Sequence, residues 1–309
     1  MTMKRKFLIF LPSTWAYIKE GYHTQGYSLK NWLHGYIYSR WIYLYIGIGT
    51  GEHILARKFK PLAKFLCRFF KPSGKSESPE TCISFSDTYH GKVISLDTAK
   101  KLVTINRRIE VADLEQVIPY KLARSIILEN PEHIVVMDCP CRKVRPNPCK
   151  PIDVCLVIGE IFSQFILEHH PANSRKINMK EAVEILEAEH KRGHVHHAFF
   201  KSDLFNRFYA ICNCCSCCCG AIQAWRNGTP MLASSGYVSR SNHALCTACG
   251  VCVVFCQFEA LKMKEDTIII DEKRCLGCGV CVTKCKENAR WLERDTSRGT
   301  PLEVDKLFL

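Results

Sequence analysis

Eight cysteines near the C-terminus constrain this 309-residue chain more than any other feature. Cys246, Cys249, Cys252 and Cys256 follow the spacing C-x2-C-x2-C-x3-C, and Cys275, Cys278, Cys281 and Cys285 repeat it with every member displaced by 29 residues. Ala260 and Ala289 match at the same offset, each four residues past the last cysteine of its copy. Between the copies, Ala260–Met263 and Thr267–Asp271 are expected to pair as a short hairpin. Three thiolates two residues apart in a tight, Gly-containing turn can reach three corners of one iron–sulfur cube, while a fourth, starting a helix, points away to a second cube. Zinc fits poorly, because its structural sites favour two separated C-x2-C pairs.

The spacing predicts one [4Fe-4S] cluster on Cys246, Cys249, Cys252 and Cys285 and another on Cys275, Cys278, Cys281 and Cys256. Backbone N–H groups in these turns can hydrogen-bond to the sulfurs and tune them. Over about 245–292 the chain resembles the bacterial-type ferredoxin with two [4Fe-4S] clusters. The proline that usually follows the fourth cysteine of that family is here Gln257 in one copy and Lys286 in the other. That proline shapes a turn and is not a ligand, so the departure bears on local backbone and potential.

Ten further cysteines crowd into 139–219, and of the 20 in the chain only Cys67 and Cys82 precede them. Cys139, Cys141, Cys149 and Cys155 come first, then Cys212, Cys214, Cys215, Cys217, Cys218 and Cys219 within ICNCCSCCCG. Such crowding is metal ligation in a reducing compartment rather than a disulfide framework. Burying that many thiols merely as small hydrophobes is unexpected, and exposing them invites oxidation. At least one extra iron–sulfur cluster is expected here. Ten thiols allow two further four-thiolate clusters with two left over, or one cluster plus a reactive pair, and the order of residues does not say which are ligands. The arrangement CPCR…CNCC-x-CCC resembles a group of redox proteins of anaerobes described only as ferredoxin-like, over about 115–290. Cys218-Cys219-Gly220 is also similar to the CCG signature of heterodisulfide-reductase-type subunits, although the wider spacing does not fit.

The formal net charge of +13 is lopsided, with 13 basic and four acidic side chains in residues 1–80. Thiolates on iron are anionic, so the C-terminal part is near neutral or acidic and nucleic acid is a poor match. The first apolar run ends at Pro12, short of the about 7–15 residues of a secretory core. Trp32–Gly49 carries His34 and Arg40 and falls short of the ~20 uninterrupted apolar residues of a spanning helix. Ile54–Lys71 mixes aromatic and cationic residues at helical spacing, which suits a membrane interface or a partner subunit, with packing on the chain's own core as the alternative. Lys71–Glu80 reads as a linker. The location expected is cytoplasmic, peripheral on the membrane face through residues 1–71.

Three regions follow: a basic, aromatic docking segment at 1–80, a Cys-rich domain at 81–240, and a two-cluster domain at 241–309. The class expected is α+β, a small α/β-like Cys-rich domain followed by a ferredoxin-like domain with a pseudo-two-fold repeat. In the middle region, Lys92–Leu96 and Leu102–Ile105 read as a strand hairpin, Pro119 as the first turn of a helix, and Ile134–Met137 as a strand running into Cys139. Ile152–His169 reads as helical, as do Met179–Arg192, with Asn178 as N-cap and Gly193 beyond, and Cys219–Arg226, closed near Gly228. His190, His194, His196 and His197 are expected at a solvated helix end, with metal or proton roles as the alternative. Arg142 either adjusts the neighbouring thiols or forms a surface ion pair.

The function expected is one-electron relay through two [4Fe-4S] clusters and at least one more, to redox partner proteins. A reductase acting on a disulfide or quinone at the middle cysteines, or an accessory protein serving another enzyme's metal site, are the alternatives. Gly47, Gly49 and Gly51 do not make the G-x-G-x-x-G of a dinucleotide site, so no nucleotide cofactor is expected.

Overall fold

Apolar side chains run unbroken through Ile134–Met137 and Val154–Ile158, the pattern of a sheet covered on both faces. The computed structural model describes residues 11–24, 26–56, 58, 89–105, 133–205 and 207–304. It is a mixed fold of helices and strands built on one seven-stranded sheet. The strands are β1 (Tyr89–Ile94), β2 (Ile134–Asp138), β3 (Asp153–Ile158), β4 (Ser174–Ile177), β5 (Val195–Lys201), β6 (Arg207–Cys214) and β7 (Leu232–Ala233), in the order β4-β2-β3-β6-β5-β1-β7. All neighbours pair antiparallel except β1 and β7. Period-2 alternation sends Val135, Met137, Cys155, Val157 and Phe199 to one face and Ile134, Val136, Leu156, Ala198 and Phe200 to the other.

The second face is covered by α4 (Leu96–Thr104) and α7 (Met179–Lys191) through Ala99, Leu102, Val103, Ala182 and Leu186. The hairpin expected across Lys92–Ile105 is therefore half wrong. Lys92–Ile94 belongs to β1, but Leu96 onward is helix, because Ser95 caps it by accepting from the Thr98 N–H at 3.1 Å and Ala99, Leu102 and Val103 share one helical face. Ile152–His169 is likewise divided: Asp153–Ile158 is a buried strand, Gly159 turns at φ 92°, and only α6 (Glu160–His169) is helical. α7 runs as expected, with Asn178 accepting from Glu181 N–H at 2.8 Å and Gly193 in the left-handed region beyond it. α8 (Gly220–Arg226) also forms, ahead of Gly228. Ile134–Met137 is strand, as expected. Pro119 and Lys71–Glu80 lie outside the described residues.

The first face is covered by three N-terminal helices, α1 (Pro12–His23), α2 (Leu29–Arg40) and α3 (Ile42–Gly49), together with α6. Tyr17, Tyr38 and Ile42 are buried there, and the Tyr38 and Tyr209 hydroxyls meet at 2.9 Å. Leu29, Leu33, Ile37, Trp41, Leu44 and Ile48 remain exposed on the outer side. Among the described residues no helix is long and apolar enough to cross a membrane. Most of Ile54–Lys71 lies outside the described residues.

Beyond the sheet, β8 (Tyr237–Ser241) pairs antiparallel with β11 (Arg290–Arg294), so the chain enters and leaves the segment between them at one place. Within it, β9 (Leu261–Lys264) and β10 (Thr267–Ile270) form the expected hairpin. After β11 the chain returns to the main sheet, where Leu302 and Val304 join the core beneath α4 and α7.

Candidate metal centres

The C-terminal cysteines sit in two turns with matching backbone. Left-handed φ values recur at the 29-residue offset, at Ala248 and Gly277, at Gly250 and Gly279, and at Glu259 and Asn288. Gly250 and Gly279 each precede a single helical turn, α9 (Val251–Val254) and α10 (Val280–Thr283), and their φ of 75° and 80° explains why glycine stands there. The paired alanines have a matching use. Ala260 N–H donates to the Cys256 sulfur at 3.2 Å and Ala289 N–H to the Cys285 sulfur at 3.3 Å. Cys256, Cys275, Cys278 and Cys281 line one cavity. Cys246, Cys249 and Arg290 lie beside Cys252. Burial pushes the Cys281 thiol up to about 11 and Cys278 well above its usual range. Sulfurs of this kind ionise when a cation compensates them, and a cluster's iron does so. The donor set fits iron–sulfur clusters.

Gln257 explains the departure from the family pattern. Its side-chain amide donates to the Gly193 carbonyl at 2.9 Å and its oxygen accepts from Ser216 N–H at 2.7 Å, which ties Cys256 to the middle cysteine loop. Phe258 next to it is buried against Trp225 and His197. Proline can make neither hydrogen bond. Replacing Gln257 with Ala is expected to lower stability by about 1–3 kcal/mol, two hydrogen bonds at about 0.5–1.5 kcal/mol each. Urea unfolding measures the loss, and an accompanying rise in Ser216 amide exchange locates it.

The ten middle cysteines fall into two groups. Cys149, Cys215, Cys217 and Cys218 bring their sulfurs within 4.8 Å of one another, with Cys215 and Cys218 buried, Cys217 exposed, and Cys149 and Cys217 at 2.9 Å. The other six are neighbours in a closed circuit, Cys139–Cys141–Cys219–Cys214–Cys212–Cys155 and back to Cys139. β6 places Cys212 and Cys214 two residues apart, on the same side of the strand. Cys155 comes from the adjacent β3, and Cys139 and Cys141 come from the end of β2 and from α5 (Pro140–Lys143). Hydrogen bonds from Cys155 and Cys214 bring Cys212 down to about 5, and those from Cys141 and Cys214 take Cys219 well below the usual thiol range. Cys139, which donates to Cys141, is pushed up to about 12.

Arg142 lies beside both groups, at Cys139 and Cys215. The surface ion pair considered for it is replaced by a wholly buried cation. Its guanidinium donates to Glu189 at 2.7 Å and to the Asn213 carbonyl at 2.9 Å, and His194 Nδ1 donates to the same Glu189 carboxylate at 2.7 Å. The expectation of a solvated histidine terminus also fails. His190, His194, His196 and His197 are all buried, because Gly193 turns the chain straight into the central strand β5. His190 meets Thr283 at 2.9 Å, a second tie to the C-terminal turns, and His196 meets Asn213 at 2.6 Å. The division of ten thiols into four and six depends on sheet pairing, which residue order does not display. The alternation of Cys212 and Cys214 was the one signal for it.

Residues 245–289 match the family model of the 4Fe-4S dicluster domain. No curated protein and no solved structure matches the chain. The match establishes an iron–sulfur domain of the electron-transfer type that holds at least one [4Fe-4S] cluster.

Proposed function

We propose that the chain is an iron–sulfur relay with two [4Fe-4S] clusters in the C-terminal domain and a further one on Cys149, Cys215, Cys217 and Cys218. The observation that carries this reading is the tie made by Gln257, which joins Cys256 of the dicluster domain to Ser216 in the middle of the four-thiol loop. Cys246, Cys249, Cys252 and Cys285 hold one cluster and Cys275, Cys278, Cys281 and Cys256 the other, a pseudo-two-fold arrangement supported by the recurring φ values and the Ala260 and Ala289 hydrogen bonds. Each cluster supplies a site that accepts and returns one electron. The protein's part is to fix the sulfurs, donate N–H groups to them and exclude water from the buried ones. Partial exposure of the four-thiol loop, where Cys217 reaches solvent, suits exchange with a redox partner protein. The exposed apolar line from Leu29 to Ile48, on a strongly basic N-terminal part, supports peripheral docking to a partner or to the cytoplasmic membrane face.

Replacing Cys149 and Cys217 with Ala is expected to remove about four irons and one EPR signal, a cube taking one thiolate per iron. The dicluster signals should persist. Dithionite-reduced protein should be re-oxidised by an acceptor protein and show no turnover of small disulfides or quinones by itself. Unchanged iron in that variant rejects the third cluster, and steady turnover of a small acceptor favours the reductase reading instead.

A further inference from the structure

The six-thiol circuit has no part in the relay described above, and its surroundings are those of a site. Its sulfurs arrive from two strands and three loop or helix-end positions and border a single cavity of about 170 Å³, whose rim Cys215 and Cys218 of the other group also line. One water needs only about 10–15 Å³ of such space, so the thiols face room for a ligand rather than merely each other. At the Cys214–Cys219 edge stands His197, 0% exposed, with a ring nitrogen within 4.8 Å of both sulfurs. Neither of its ring nitrogens has a hydrogen-bond partner among the described residues. Leaving a buried polar group unpaired costs about 1–3 kcal/mol, and a neutral imidazole is a common metal ligand.

We infer that these six cysteines form one iron–sulfur centre, distinct from the Cys149 group, whose core is larger than a single cube and which takes His197 as a nitrogen donor. The ligand count decides the class. A structural zinc is satisfied by four donors, and a cube by four thiolates, one per iron. Six sulfurs in a closed circuit, joined by an unpaired histidine, exceed both. Thiolates that bind iron are anionic, and six of them in an interior need a polynuclear cationic core to offset their charge. Arg142, next to Cys139 and paired with Glu189, supplies only one cation there. The roof over the cavity is made by Tyr38, Ile42, Tyr45 and Ile46 of the N-terminal helices. That placement gives the packing of α2 and α3 on this face a purpose, namely enclosure of the centre.

The test leaves the six residues intact. In the full chain carrying Cys149→Ala and Cys217→Ala, anaerobically purified, iron and acid-labile sulfide are counted and the Mössbauer spectrum is recorded. The two dicluster cubes account for about eight irons. The inference expects more than about twelve, since the circuit holds more than one cube's four. About twelve means an ordinary cube on four of the six thiols, and about eight means no centre; either overturns the proposal. As a second measurement, Cys139→Ser and Cys214→Ser, on opposite sides of the circuit, are each expected to alter the same EPR signal, and His197→Ala to shift its g-values. Intact dicluster signals serve as the control for folding. If either cysteine variant leaves the signal unchanged, the six do not act as one ligand set.

Discussion

Replacing Cys256 with Ala is expected to abolish the same EPR signal as Cys278→Ala and to spare the signal that Cys249→Ala abolishes, with a loss of about four irons in each case. The expectation is counter to sequence order, which places Cys256 four residues beyond Cys252 and 22 before Cys278. It follows from the cavity that Cys256 shares with Cys275, Cys278 and Cys281, and from the Ala260 N–H bond that turns its sulfur. EPR of dithionite-reduced protein with parallel iron analysis decides it. A Cys256 variant that instead loses the Cys249 signal shows that each copy holds its own cluster, and the interleaved assignment is then wrong.

Glu189→Ala is expected to destabilise the fold by about 3–5 kcal/mol, the usual result of leaving one buried charge without its partner. Glu189 and Arg142 are both fully buried, and Glu189 also binds His194 at 2.7 Å and Arg192 at 2.9 Å. Burial alone would raise the Glu189 carboxyl. The His194 hydrogen bond and the Arg142 charge outweigh it and hold the group below its ordinary 4.5. A carboxyl depressed by folding adds stability above its unfolded value and gives it up as the pH falls through its folded one. The deficit of the variant should therefore be full at neutral pH and shrink below 4.5. Anaerobic urea unfolding across that range measures it, with an unchanged slope confirming that stability alone has moved. A deficit under about 1 kcal/mol at neutral pH would match an exposed pair and sink the argument.

What could be read from sequence was whatever depends on near neighbours. The cysteine spacing, the Asn178 cap with Gly193 beyond α7, and the hairpin across Glu265-Asp266 all lie within a few residues of the groups they govern. The failures have a common origin in long-range packing. Leu102–Ile105 has enough β-branched character to pass for strand, and only the contact of α4 with α7 and the Ser95 cap reveal a helix. Val154–Ile158 reads as the start of a helix until β2 and β6 claim it on either side. The burial of His197 and the sorting of ten sulfurs come from strands meeting side by side, with His197 opposite Cys212. No spacing rule carries that information.

The pairing of β8 with β11, and the return of Leu302 and Val304 to the main core, make the iron-bearing segment an insertion anchored at both ends. Such a segment cannot fray from a free tail. Displacing either join would uncover Leu302 and Val304, which the main core now buries, so the order of this segment and that of the main sheet rise and fall together.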